Sequence, residues 1–218
     1  IRGQPRSRGL GDVYKRQTTY AARLVENEIN SVSDNPLIIN GKIYTGCNFH
    51  AIHIAVAMDI LSMALAILGG ISERRINRIL DPKLNNGLPP FLTDGEAGNV
   101  GYMLAQYTAA SLVAEMRTSS VPSSVHSIPT SGDQEDYVSM SLNAALKVKE
   151  QIEHLSWILS LELLVASKAI EIRGIDQTSK SIGKRVKKVL MAISNLKTPS
   201  EQVNLVKSMM YELIADGN

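Results

Sequence analysis

Residues 52–71 form a run of twenty in which nearly every position is Ala, Ile, Leu, Met, Val or Gly and the one formal charge is Asp59. Such a run has two physical solutions. It is long enough to cross a bilayer as a helix, and it is also what a helix looks like when protein covers it on all sides. His53, Asp59 and Ser62 favour the second, because polar and charged groups at bilayer depth are costly. The expectation is a buried core helix and no membrane crossing. A helix apolar all round needs other helices or other subunits to cover it, which points to a mainly α chain.

The remaining pattern agrees. Helices are expected at residues 18–30, 48–68, 98–118, 134–173, 179–195 and 200–215, with a charged helix or helical extension at 72–80 and loops at 81–92 and 119–133. Val148, Ile152, Leu155, Leu159, Leu163, Ala166 and Ile170 make one stripe at helical spacing. Asn40-Gly41 separates Leu37-Ile38-Ile39 from Lys42-Ile43-Tyr44 and suits a two-residue I′ turn, so one small hairpin is expected. Thr198-Pro199-Ser200-Glu201 reads as a capping box with proline in the first turn.

Residues 7–17 look like the frame-translated adapter of a transposon-based sequencing library, so residues 1–17 are expected to be a disordered scar and 18–218 the helical protein. The scar changes the charge argument. The chain's net charge is +2, but Arg2, Arg6, Arg8, Lys15 and Arg16 against Asp12 give residues 1–17 a net of +4 and leave −2 for the rest. The pI of 8.6 therefore points to no nucleic-acid partner. A single Cys rules out an intrachain disulfide framework and suits a reducing, cytoplasmic setting.

Three polar segments interrupt the helices: residues 26–38, ENEINSVSDNPLI; residues 46–51, GCNFHA; and residues 130–140, TSGDQEDYVSM. In the first, the short side chains of Asn30, Asp34 and Asn35 are suited to holding a turn after a helix. Cys47 and His50 of the second, with His53 just beyond it, have a C-x-x-H-x-x-H spacing, but without a clear fourth ligand no metal is expected. In the third, Gln-Glu-Asp is expected to start a helix, where the dipole favours acidic groups.

Taken together and in order, these segments resemble the C-terminal half of the aromatic amino acid lyase family, and within it the histidine ammonia-lyases. The resemblance spans nearly all of residues 18–173. It implies a long-helix bundle of the ammonia-lyase (fumarase/aspartase-like) type, a homotetramer, and elimination of ammonia from L-histidine to give urocanate by the full-length enzyme. It implies a methylidene-imidazolone formed autocatalytically from Ala-Ser-Gly, with no metal or diffusible cofactor. This chain has no Ala-Ser-Gly, so the tripeptide, the Tyr base and the carboxylate-binding Arg are expected upstream, and the fragment alone is expected to be inactive. Thr130-Ser131-Gly132 is not assigned that cyclisation.

By the same resemblance Phe49 and Glu135 bind substrate, supported by Asn48, His50 and Gln134. Phenylalanine and tyrosine lyases usually carry Gln where Glu135 stands. A carboxylate accepts a hydrogen bond from an imidazole N–H, which a phenyl ring cannot supply. Ile52-His53 and Val100, within Asn99-Val100-Gly101, depart from the family pattern. The alternatives are a phenylalanine or tyrosine ammonia-lyase or aminomutase, and a noncatalytic helical assembly module.

Overall fold

The computed structural model describes residues 10–93, 95 and 98–215. Among them are helices α1 (Leu10–Ile29), α2 (Ile52–Leu80), α3 (Met103–Ser119), α4 (Ser141–Arg173), α5 (Lys180–Ile193) and α6 (Pro199–Ala215), and a hairpin of β1 (Leu37–Ile39) and β2 (Lys42–Tyr44). The mainly α expectation with one small hairpin holds. Leu37 pairs with Tyr44 and Ile39 with Lys42. Asn40 and Gly41 between them take the positive φ angles, 52° and 75°, that the I′ turn requires. The charged stretch 72–80 is the continuation of α2, not a separate helix.

Three boundaries differ from expectation. Residues 10–17, expected to be disordered, form the first turns of α1, while residues 1–9 of that expected scar lie outside the described residues. Helix α3 begins at Met103, because Gly98 and Gly101 turn the chain at φ 86° and 54° and the Tyr102 amide donates to Phe91 O at 3.0 Å. Helix α4 begins at Ser141, because residues 130–135 close on themselves and Met140 sits at φ 54° immediately before the helix. Gln134 and Glu135 are therefore not a helix start.

The chain divides into two compact units, residues 1–67 with 116–152 and residues 68–115 with 153–218. In the first, the buried apolar residues are mostly small: Ala21, Ala55, Ala57, Ala64, Ala66 and Ala144, with Met116 and Val148. Helix α2 there is inverted. It buries alanines together with Asp59 and Ser62 and leaves Val56, Met63 and Ile67 exposed, so the expected burial on all sides is not achieved within this chain. Only 44% of its most apolar window is covered, although the helix is long and apolar enough to span a membrane.

The second unit has a conventional aliphatic core, including Ile76, Leu80, Ile158, Leu164, Val189, Ile193 and Val206. Glu162 in this unit accepts from Ser72 Oγ at 2.5 Å and from Arg75. Arg173 donates to the carbonyls of Asn85 and Asn86 at 2.7 and 2.9 Å. Tyr102 OH donates to Gln202 Oε1 at 2.7 Å, and burial, aided by the charge of Glu171, pushes its phenol up to about 12. The expected capping box forms at α6: Glu201 N donates to Thr198 Oγ1 at 3.3 Å and Thr198 N to Glu201 Oε2 at 3.1 Å.

Candidate functional site

All of the residues selected from the sequence lie in the first unit. The polar passage after α1 is its scaffold. Asn30 Nδ2 donates to Glu26 O at 2.7 Å and Ser31 Oγ to Glu28 O at 2.9 Å, closing the end of the helix. The Asn35 amide is held by Asp34 Oδ1 at 2.8 Å, and Asn35 Oδ1 accepts from Gly46 N at 3.1 Å. The first polar segment thereby seats the second. Glu28 Oε2, 2.9 Å from His53 Nε2, ties α1 to the first turn of α2.

Within the second segment Phe49 is 51% exposed and Asn48 and Cys47 are exposed. His50 turns the other way, donating from Nε2 to Tyr137 O at 3.1 Å, with its ring 5.4 Å from that of Tyr137 and tilted by 31°. This contact brings the second polar segment against the third. His50 and His53 thus serve different partners, and among the described residues no three His, Cys, Asp or Glu side chains gather as a metal site.

Glu135 lies on a tight return of the chain. Thr130 N donates to Glu135 O at 2.9 Å and Glu135 N to Thr130 O at 3.3 Å, with Ser131, Gly132 and Asp133 all at positive φ. Thr130-Ser131-Gly132 is accordingly part of this turn. Gln134 and Glu135 are exposed, and the Glu135 carboxylate has no hydrogen-bond partner among the described residues. Three residues on, the Val138 amide donates to Ser127 Oγ at 2.9 Å, which straps the return to the 119–133 loop.

That loop is held from beneath by a buried ion pair. Asp59 is 3% exposed, and Lys147 Nζ lies 2.7 Å from its Oδ1. Lys147 also donates to Val121 O at 2.8 Å and Ser123 Oγ at 3.1 Å. The two carboxylate oxygens accept the consecutive amides of Ser123 and Ser124, each at 2.9 Å. Burial alone would raise the Asp59 carboxyl, but Lys147 and the two amides reverse this and hold it below its ordinary value. Gln151, fully buried, adds hydrogen bonds from Nε2 to Met116 O and to the hydroxyls of Ser119 and Ser120.

Asp59, Lys147, Ser127 and Tyr137 were not among the residues selected from the sequence. Asp59 had a signal, since it is the one formal charge in an apolar run and such a charge requires a partner. Lys147 had none, being 88 positions away. A cleft of 1190 Å³ lies in the second unit, lined by Leu92, Tyr102, Trp157, Leu161 and Val203 among others, and none of the selected residues borders it.

The family model for aromatic amino acid lyases matches residues 8–195. A histidine ammonia-lyase from Treponema denticola is 43% identical over 179 residues, 81% of this chain and 35% of the relative. That of Caldanaerobacter subterraneus subsp. tengcongensis is 50% identical over 157 residues, 71% of this chain and 31% of the relative. Among solved structures, the tyrosine aminomutase from Streptomyces globisporus matches with a TM-score of 0.87 at 35% identity, over 95% of this chain and 41% of that one. The histidine ammonia-lyase from Trypanosoma cruzi matches with a TM-score of 0.87 at 31% identity, over 94% and 42%. The chain spans about a third of the length of the curated relatives it matches.

Proposed function

The chain belongs to the aromatic amino acid lyase family, and from that premise we propose that it is the C-terminal part of a histidine ammonia-lyase, which eliminates ammonia from L-histidine to give urocanate. The observation that carries this reading is Glu135: an exposed carboxylate with no partner among the described residues, on a return strapped at both ends and joined through Tyr137 to the Phe49 segment. Phe49 and Glu135 are the substrate-binding residues, and His50 fixes the spacing of their two segments. Asn48 and Gln134, exposed beside them, complete the polar rim.

Phe49 offers an uncovered aromatic face, which suits contact with a planar group and with the substrate ring. It is the residue of this chain that would lie against a methylidene-imidazolone, whose source tripeptide is absent from these 218 residues. When present, that group supplies the electrophile for ammonia loss. The residues of this chain bind and orient the substrate ring, with Glu135 accepting the imidazole N–H.

Replacing Glu135 with Gln keeps the shape and removes the charge. In the full-length protein this should cost histidine kcat/KM about 1.5–3 kcal/mol, roughly ten- to a hundredfold, and cost tyrosine or phenylalanine less. Equal histidine turnover by both proteins would refute the assignment. The match to the tyrosine aminomutase structure supports a second reading, an aromatic lyase or aminomutase. A wild-type protein that prefers tyrosine or phenylalanine would establish it.

A further inference from the structure

The Asp59/Lys147 pair makes no contact with Phe49 or Glu135 among the described residues, and there every side-chain hydrogen bond it makes outside the pair goes to residues 121–124. Two oxygens meet two consecutive amides, and the ammonium meets a carbonyl and a hydroxyl of the same stretch. A buried ion pair contributes little net stability over apolar packing, since desolvation offsets most of the attraction. What it does supply is direction: a neutral side chain cannot accept both amides and also hold the ammonium.

From this anchor the chain runs on into a second set of contacts, the first being His126 N to Ser123 O at 3.1 Å. Residues 121–124 lead to Ser127, whose hydroxyl accepts from Val138 N, and the Thr130/Glu135 bridge lies between those two positions in the chain. Gln151 clamps the beginning of the same loop. We propose that Asp59 and Lys147 are positioning residues for Glu135, setting through the 121–138 segment where its carboxylate meets the substrate's imidazole. The proposal rests on the histidine reading above and adds to it a determinant of ring specificity that does not touch substrate.

The test is a cycle in the full-length protein: wild type, Asp59→Asn, Glu135→Gln and the double variant, measured for histidine kcat/KM, with amide hydrogen exchange on the same four proteins. Misplacing Glu135 should lower histidine kcat/KM about ten- to a hundredfold in the wild-type background. In the Glu135→Gln background the same change should cost no more than about twofold, because the charge it positions is already gone. Exchange should accelerate at Ser123 and Ser124 and also at Glu135 and Val138.

An equal fold-loss in both backgrounds, or acceleration that stops at Ser124, would overturn the proposal. Ser127→Ala, which cuts the strap without stranding a buried charge, serves as the second variant if Asp59→Asn does not fold, and the same two criteria apply to it, with exchange read at Val138 and Glu135. A wild type that does not turn over histidine would refute the functional reading, and the exchange measurements would still decide the positioning.

Discussion

At the scale of single residues, Asp59 shows what a charge inside an apolar helix demands. Its cost is met by one cation and two amides, and removing the carboxylate charge takes from all three the anion they share. Asp59→Asn, which removes the counter-charge of the Lys147 ammonium, should lower unfolding free energy by about 3–5 kcal/mol at neutral pH, measured by urea denaturation. The pH dependence has a definite sign. Because the folded carboxyl titrates below its ordinary value of 3.8, the unfolded chain binds the proton first as pH falls. The stabilisation is complete above about 3.8 and disappears as pH drops through the lower, folded value, so the gap between wild type and Asp59→Asn should close in acid. A gap that stays constant below that pH would show that the carboxylate is not the source.

At the scale of elements, two local devices can be checked directly. Thr198→Ala breaks the reciprocal pair with Glu201 at the start of α6 and should cost about 1 kcal/mol in thermal denaturation. Gly101→Ala should cost more, about 1–3 kcal/mol, since a Cβ there would sit 2.4 Å from Phe91 O at a φ of 54°. These elements also show what could be read in advance. The hairpin and the α6 start were legible because their signals, Asn-Gly and Thr-Pro-Ser-Glu, act within four residues. The starts of α3 and α4 were not: at α3 Gly98 and Gly101 were visible but the amide reaching from Tyr102 back to Phe91 was not, and at α4 the left-handed Met140 has no compositional mark. At the site, the polar segments and their chemistry were visible, while the cation and the strap that hold them were not, since Lys147 and Ser127 resemble ordinary surface residues in a helix and a loop.

At the scale of the whole molecule, the first-unit part of α2 buries its small and polar residues and exposes Val56, Met63 and Ile67, the reverse of an ordinary surface helix. Leu142 and Leu146 on α4 and Leu104 and Tyr107 on α3 are exposed as well. Apolar helix surface of this kind is covered in oligomers, so light scattering on the full-length protein should find a stable assembly, a tetramer by our reading, and stable monomer alone would refute this. Residues 1–17, which we propose carry no function, should be removable with the melting temperature unchanged within error, and a clear drop would make the α1 turns at 10–17 part of the native protein. The bonds that hold the Glu135 loop have one more consequence, in time. Those made by Asp59 join positions 64 to 88 apart in the chain, whereas helices close over four. Distant closures form late, after local ones have shortened the chain. On dilution of the full-length protein from denaturant the ellipticity of the helices should therefore recover first and the proposed histidine turnover afterwards, with an interval in which the protein is already helical but does not yet recognise histidine.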